Sequence, residues 1–276
     1  MSSPHPLRNV YACLVHERLE CVEDLVRNLR RLDPASAVLL YNGSTDPKFL
    51  SRSPRLTELG AVVHPSPRPM VWGRLHDFAV DCMEHALNAL PFDLLTIVDS
   101  DQLLLRPGYV EFMASRIELS GLGMLSTSPG RHGRESRQPT IRSAWQDLSR
   151  WRPWITSFPR GLDFYVHWTF WPGTVFTHEG AARIVRRFRS DRELAKTLDR
   201  CRLSVTEEVL LPTLAVLLGL RVDKNPTCQD WVRYRPYHSE EDCEAALGRA
   251  DAFFMHPVAR RFDDPGRLHL RTHYGY

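Results

Sequence analysis

The chain has 276 residues, 43% of them hydrophobic and 25% charged, so it lies in the globular range and is long enough for one large domain or two small ones. Its net charge of +3 is too small to give the strong electrostatic footprint of a nucleic-acid-binding protein. No apolar run reaches the ~18 residues of a membrane span, and no signal-peptide core is present, so we expect a soluble, cytoplasmic protein. The six scattered cysteines indicate neither a zinc cluster nor a disulfide framework.

The amino-terminal part of the chain alternates between strand and helix patterns. Short apolar runs predict the strands, and apolar residues at helical spacing predict the helices between them. In chain order we predict a strand at 10–15, a helix at 18–32, a strand at 37–41, a turn at 42–47, a strand at 60–65, a helix at 72–90 and a strand at 93–99. This alternation favours an α/β fold with a mostly parallel sheet flanked by helices.

The pattern becomes less regular after about residue 106. We predict helices at 108–118, near 140–151, at 178–189 and at 206–220, and strands at 122–127 and 221–225. Residues 128–161 are rich in arginine, proline and tryptophan, and the short helix near 140–151 lies within them. The C-terminal third is predicted to be irregular.

Two carboxylates end the predicted strand in the stretch FDLLTIVDSD. Asp99 and Asp101 are two positions apart, so their side chains project to the same face while Ser100 points away. Such a pair is costly unless a cation lies between the carboxylates, and the carboxyl ends of strands in open α/β sheets are where ligands bind. Hard oxygen ligands favour Mg²⁺ or Mn²⁺, usually shared with phosphates. The pair therefore predicts a divalent-metal site, and the alternative is a solvated turn or a helix cap.

This arrangement resembles the GT-A fold of nucleotide-sugar glycosyltransferases, in which a DxD after the fourth strand holds a divalent metal on the donor diphosphate. Over roughly residues 8–260, further stretches are similar in order to motifs of such enzymes. YNGSTD (41–46) resembles a D-x-x-S-T-D turn, and three stretches resemble the core-2/I-branching N-acetylglucosaminyltransferase group: VWGRLHDFAVDCMEHAL (71–87), WPGTVFTHEGAARIV (171–185) and SVTEEVLLPTL (204–214). Core-2 enzymes generally lack a DxD, whereas this chain has one.

The resemblance implies a single GT-A catalytic domain over residues 1–276. Residues 8–127 would form the nucleotide-sugar-binding half, and residues 128–276 the acceptor-binding half with an Arg/Trp-rich loop at 128–171. The implied activity is transfer of a hexosyl or N-acetylhexosaminyl group from a UDP-sugar to a hydroxyl of a saccharide or natural-product acceptor. Mn²⁺ or Mg²⁺ would be the cofactor, and similarity to a group with a single base implies inversion at the sugar.

The resemblance also implies a general base near residue 208. Matching the segment TEEV to the family's x-D-E-x places Glu208 at the base position, with Glu207 beside it. Acids are also favoured where a helix begins, so a capping box between Ser204 and Glu207 is the alternative.

On the donor side, Asp101, Asp99 and His256 are the predicted metal ligands, and Asp99 could instead contact the ribose. His256 follows an apolar run, and a structural histidine is the alternative reading of it. The other predicted donor contacts lie in loops at strand ends or at the start of a helix; they are His16, Glu17, Asn42, Trp72, Arg74, Arg260 and Arg261.

Aromatic residues crowd into positions 145–171, and sugar faces stack on aromatic rings. We predict that Trp154, Trp168 and Trp171 line an acceptor site; the alternative is a small second core.

Three other functions compete with this interpretation. A dinucleotide-dependent oxidoreductase would need G-x-G-x-x-G after the first strand, where the chain instead has HERLEC. A nucleic-acid-binding protein would use the basic, aromatic segment 131–160, but the net charge is small. A catalytically silent relative that binds a nucleotide sugar stays open, as does the oligomeric state.

Overall fold

The structure is a computed structural model that describes residues 6–276. Its strands are Asn9–Val15 (β1), Ala37–Asn42 (β2), Ala61–Val63 (β3), Leu94–Asp99 (β4), Leu103–Leu104 (β5), Leu122–Ser126 (β6), Val175–Thr177 (β7), Arg221–Lys224 (β8) and Phe254–Met255 (β9).

The helices alternate with these strands along the chain. They are Leu19–Leu32 (α1), Arg55–Glu58 (α2), His76–Ala89 (α3), Tyr109–Ala114 (α4), Pro139–Gln146 (α5), Leu148–Ile155 (α6), His178–Ser190 (α7), Arg192–Arg200 (α8), Glu207–Leu217 (α9), Glu240–Leu247 (α10) and Pro265–Tyr274 (α11). No helix within residues 6–276 is long and apolar enough to cross a membrane.

The chain folds into two compact units, each built from non-contiguous segments. Unit 1 contains the chain up to Pro69, together with Ala89–Glu118 and Pro226–Tyr276. Unit 2 contains Met70–Asn88 and Leu119–Asn225.

Unit 1 contains four parallel strands in the order β3-β2-β1-β4. All seven residues of β1 are buried, because it lies between β2 and β4 with helices packed on the sheet. A second, antiparallel pair joins β5 to β9. Helix α1 is tied to this pair by the buried amide of Asn28, which donates to the carbonyl of Leu104 and accepts from its N–H, both at 2.8 Å.

In unit 2, β6 pairs with antiparallel β7 and parallel β8. The segment of 128–171 that is rich in arginine and tryptophan supplies α5 and α6, and α6 packs on α8 while α5 and α7 pack on α9. The predicted α/β class with a mostly parallel sheet and flanking helices is confirmed.

Two predictions about local structure are wrong. Helix α3 begins at His76 rather than near residue 72, because residues 71–74 form a turn in which Arg74 N–H donates to the carbonyl of Val71. The C-terminal third is not irregular: it contains β9, α11 and α10, whose start is a capping box between Ser239 and Asp242.

Candidate functional site

The predicted metal ligands come together in unit 1 because two short strands pair. Strand β4 ends at Asp99, β5 follows directly, and β5 pairs with β9, the strand that ends just before His256. The backbone N–H of Val258 donates to the carbonyl of Asp101 at 2.8 Å and fixes the same approach one step further along. His256 is therefore brought to the carboxyl end of a parallel strand from about 150 residues away in sequence.

The three side chains form a compact cluster. The Nε2 atom of His256 lies 3.3 Å from Oδ1 of Asp101 and 3.7 Å from Oδ2 of Asp99, and one ligand atom of each residue lies within 4.8 Å of the others. All three are largely enclosed, with side chains between 8% and 18% exposed. Apart from this contact with His256, the buried Oδ1 atom of Asp101 accepts no hydrogen bond from any described residue.

The protonation of the cluster reflects burial and mutual charge. Burial, together with the charge of Asp101, raises the pKa of Asp99 to about 6, although His256 opposes this. Burial alone would also raise the pKa of Asp101, but the contact with His256 and the charge of Arg260 outweigh it and hold that pKa below its usual range. For His256, burial is outweighed by the two carboxylates, so its pKa is raised. The raised pKa values of Asp99 and His256 both mean that the cluster favours an added positive charge.

His256 is held with Nε2 toward the carboxylates. Its Nδ1 atom lies 2.8 Å from the carbonyl oxygen of Arg233, which can only accept, so Nδ1 carries the proton and donates. A metal-ligating histidine usually has such a partner for its other ring nitrogen. His238 completes the support, because its Nε2 contacts the carbonyl of His256 and its Nδ1 contacts Asp242, each at 3.1 Å.

Arg260 lies beside the carboxylates. Its guanidinium is 3.1 Å from Asp101, donates to the hydroxyl of Ser100 at 2.8 Å and is 3.2 Å from the carboxylate of Glu17. Glu17 belongs to the loop after β1, where His16 also lies; burial and the charge of Arg260 lower the pKa of His16. The structure therefore brings together Asp99, Asp101, His256, Arg260, Glu17 and His16, all from separate predictions about the donor side.

The cluster fits a divalent metal. Two carboxylates and an imidazole with its second nitrogen occupied are a chemically suitable donor set for Mn²⁺ or Mg²⁺, and the buried Oδ1 of Asp101 has only His256 as a contact among the described residues. Within residues 6–276, a second group also has ligand atoms within 4.8 Å of one another, but its two carboxylates are exposed; it consists of Glu240, Glu244 and His269.

Within unit 1, two other predicted donor contacts, Asn42 and Arg261, do not join this cluster. The amide of Asn42 is engaged within its own turn, where it donates to the carbonyl of Asp46 and accepts from Ser44. Arg261 is exposed. In unit 2, Trp72 is 67% exposed, and Arg74 lies two positions before α3 begins at His76. Donor contacts by these two residues stay predictions.

In unit 2, Glu208 is a buried carboxylate held by three donors. Its Oε2 accepts from the indole N–H of Trp168 at 2.8 Å and from the hydroxyl of Thr140 at 3.3 Å, and its Oε1 accepts from the backbone N–H of Trp171 at 3.2 Å. These donors come from α5 and from the loop before β7, so the carboxylate has a fixed orientation. The neighbouring Glu207 accepts from the backbone N–H of Leu75 at 3.0 Å.

The helix cap that was the alternative explanation for these acids does not form. The N-cap of α9 is Thr206, whose side chain makes no capping hydrogen bond, and neither Ser204 nor Glu207 is in a capping box. Both glutamates therefore point to neighbours outside the first turn of their own helix.

The aromatic segment contains both core and site residues. Trp154 is fully buried, and its indole N–H donates to Asp191 at 2.9 Å, so its ring has no surface to offer a sugar and the acceptor prediction for it is wrong. Trp171 is 3% exposed and packs edge-on against Phe78. Trp168 is half-buried beside Glu208 and is the one of the three that keeps an accessible ring.

Comparison with known proteins gives distant likenesses. No protein-family model matches the chain, and no curated protein matches its sequence. Among solved structures the chain is similar to "Mannosyltransferase PcManGT from Pyrobaculum calidifontis in complex with GDP-Man and Mn2+", with a TM-score of 0.44 and 12% identity over 79% of this chain and 54% of that one. It is also similar to S. aureus TarS, with a TM-score of 0.39 and 13% identity over 76% and 34%. The chain thus spans about half and a third of their lengths, and neither likeness is close enough to carry an argument about function.

Proposed function

We propose that this chain is a GT-A-type glycosyltransferase that moves a sugar from a UDP-sugar to a hydroxyl group of a saccharide or natural-product acceptor. The observation that carries the proposal is the enclosed cluster of Asp99, Asp101 and His256 at the carboxyl end of β4. The two enclosed carboxylates repel each other, and apart from its 3.3 Å contact with His256 the buried Oδ1 of Asp101 accepts no hydrogen bond from a described residue. The cluster is well explained as a site for a cation.

On the donor side, Asp99, Asp101 and His256 would hold Mn²⁺ or Mg²⁺. When bound, a divalent ion neutralises the negative charge that develops on a departing diphosphate. Arg260 supplies a second positive charge beside Asp101, and its planar guanidinium can donate two parallel hydrogen bonds to phosphate oxygens. The loop with His16 and Glu17 would contact the nucleoside, since Glu17 is tied to Arg260.

On the acceptor side, Glu208 would accept the proton of the attacking hydroxyl. Proton transfer requires a base whose oxygen is held in one place, and the bonds from Trp168, Thr140 and Trp171 provide that rigidity. The half-buried ring of Trp168 lies beside the base and would stack on the acceptor sugar. A single base acting in one displacement gives inversion at the anomeric carbon.

The proposal is tested by a binding screen followed by product analysis. We expect calorimetry with Mn²⁺ present to detect UDP and UDP-sugars, and mass spectrometry to detect sugar transfer when acceptor saccharides are added. Preference for GDP would keep the reaction class and change the nucleotide, whereas donor binding without transfer to any acceptor or to water would indicate a silent binding protein. Binding of NAD in place of every sugar nucleotide would overturn the proposal.

A further inference from the structure

A short exposed segment of unit 1 is fastened at its two ends to the metal-ligand candidate His256 and to the next residue, Pro257. On one side, the N–H of Arg233 donates to the carbonyl of His256 at 2.9 Å, and the carbonyl of Arg233 receives the imidazole proton. On the other, the N–H of His238 donates to the carbonyl of Pro257 at 3.2 Å. The residues between these anchors, 234–237, are all exposed, so they form a loop held beside the cluster.

This loop presents an arginine between two tyrosine rings. The guanidinium carbon of Arg235 lies 4.4 Å from the ring centroid of Tyr237 and 6.0 Å from that of Tyr234. The two tyrosines are 43% and 63% exposed, which is unusual for side chains of this size. Stacking on aromatic faces holds the guanidinium in place while its N–H groups stay available in the plane of the fork.

The charge of Arg235 has no local acidic partner. Its neighbour Arg233 donates to Asp242, and Arg249 of the same unit pairs with Asp251, but no described residue forms an ion pair with Arg235. Contact with Tyr237 raises the pKa of Arg235, so its guanidinium stays charged beside the two anchors on His256 and Pro257.

We propose that Arg235, held by Tyr237 and Tyr234, binds the diphosphate of a nucleotide whose metal ion is held by Asp99, Asp101 and His256. A planar guanidinium without an acidic partner, beside a site that would take a metal diphosphate, matches the bidentate geometry that phosphate oxygens accept. This inference rests on the proposed function and deepens it, because it assigns recognition of the diphosphate to a loop that carries none of the metal ligands.

The test measures binding of three probes by isothermal titration calorimetry: Mn²⁺ alone, inorganic pyrophosphate with Mn²⁺, and UDP with Mn²⁺. We expect Arg235→Ala to weaken pyrophosphate and UDP by the same factor, roughly tenfold to a hundredfold as for lost charge-assisted hydrogen bonds, and to leave the affinity for Mn²⁺ unchanged. Arg235→Lys should restore part of the loss, and Tyr237→Leu should weaken both diphosphate probes by a smaller factor.

Arg116→Ala is the matched control, because Arg116 is also an exposed arginine of unit 1 whose guanidinium lies over an aromatic ring, that of Phe112. It should bind all three probes as the wild type does. Unchanged pyrophosphate and UDP affinities in Arg235→Ala would overturn the assignment of Arg235 and leave the proposed function intact. A loss for UDP without a loss for pyrophosphate would also overturn it, since the contact would then be to the nucleoside. Failure of the wild type to bind either diphosphate with Mn²⁺ would overturn both proposals.

Discussion

The guanidinium of Arg267 lies 2.8 Å from the carboxylate of Asp24, although 243 positions separate the two residues. Both side chains are fully buried. Arg267 also donates to the carbonyls of Ser100 and Ala259, each at 3.0 Å. Ser100 separates the two acids of the metal cluster, and Ala259 precedes Arg260, so one buried ion pair fastens α1 to both chain segments that build the cluster.

Replacing Arg267 with methionine should strongly destabilise the protein. The change leaves the Asp24 carboxylate buried with Arg271 as its remaining partner, and removing one member of a buried ion pair typically costs about 3–5 kcal/mol of the free energy of unfolding. Chemical denaturation measures this value. Arg271→Met is the control and should cost less, because that side chain is partly exposed and Arg267 continues to pair with Asp24. A loss below about 1 kcal/mol in Arg267→Met would place the pair among weakly coupled surface ion pairs.

Asp101→Asn should remove metal binding. The substitution takes away the negative charge and one of two carboxylate ligands while preserving side-chain volume, and loss of even an outer-shell partner costs roughly tenfold to a hundredfold in metal affinity. We therefore expect a larger loss, measured by calorimetry or by the paramagnetic resonance of free Mn²⁺. Asp230→Asn, at a side chain that is 71% exposed, should bind Mn²⁺ as the wild type does. Equal Mn²⁺ affinity in the two variants would rule out the cluster as the site.

The Mn²⁺ affinity should fall as the pH is lowered. Binding needs an ionised Asp99 and a neutral Nε2 on His256, and the pKa values of both groups are raised, that of Asp99 to about 6. Asp101, whose pKa is lowered, stays charged over the same range. The affinity should therefore be high at pH 7.5, decrease through pH 6 and be much weaker at pH 5, with protons released on binding near and below the midpoint, where the free site still holds them. Calorimetry in buffers of different ionisation enthalpy measures that release, and a flat profile from pH 5 to 7.5 would contradict it.

The sequence predicted those parts of the site that depend on local pattern. The apolar run that ends at Asp99 indicated the strand, but Asp101 lies in the turn after it, so strand alternation is not what brings Asp101 beside Asp99. The pairing that delivers His256 could not be predicted, since β5 and β9 have two residues each and carry no periodicity of their own. The burial of Arg267 could not be predicted either. A buried charge needs an ionic partner, and Asp24 lies 243 positions away in sequence.

The sequence carries start signals for two C-terminal helices that were not predicted, and its tryptophan-rich segment is ambiguous. Ser239 followed by Asp242 is a capping-box spacing, and Asp264-Pro265 is an N-cap followed by proline at the first helical position, so both C-terminal helices carried start signals. The density of tryptophans could not separate core from site. Trp154 can be buried because Asp191, at the start of α8, accepts the hydrogen bond from its indole N–H. The sequence around residue 154 does not indicate that contact.

Gly73→Ala should destabilise unit 2 more than an ordinary glycine substitution does. Gly73 has φ +76°, and a Cβ there would lie 1.6 Å from the carbonyl oxygen of Ser204, while the carbonyl of Gly73 accepts from Thr206 N–H at 2.8 Å. We expect a loss of about 3 kcal/mol or more, because backbone strain and a clash with a backbone atom add. Gly121→Ala is the control: it has φ +67° but open space around it, so only the left-handed backbone cost of about 1–2 kcal/mol applies. Equal losses in the two variants would show that the Ser204 segment moves freely.

Glu208→Gln should leave donor binding within about twofold of the wild type and lower turnover by on the order of a hundredfold or more, as removal of a general base does. Calorimetry with UDP and Mn²⁺ measures the first, and steady-state sugar transfer the second. The unaffected control is Glu179→Gln, at an exposed residue of α7 that pairs with Arg183 at the surface. If Glu207→Gln loses turnover while Glu208→Gln keeps it, the base is Glu207, and the bond from Leu75 to its carboxylate becomes the orienting contact.

The stereochemistry of the product, measured by nuclear magnetic resonance of the new anomeric centre, decides whether a single base acts at all. A single base requires inversion, so a product with retained configuration would remove Glu208 from that role even if its variant were inactive.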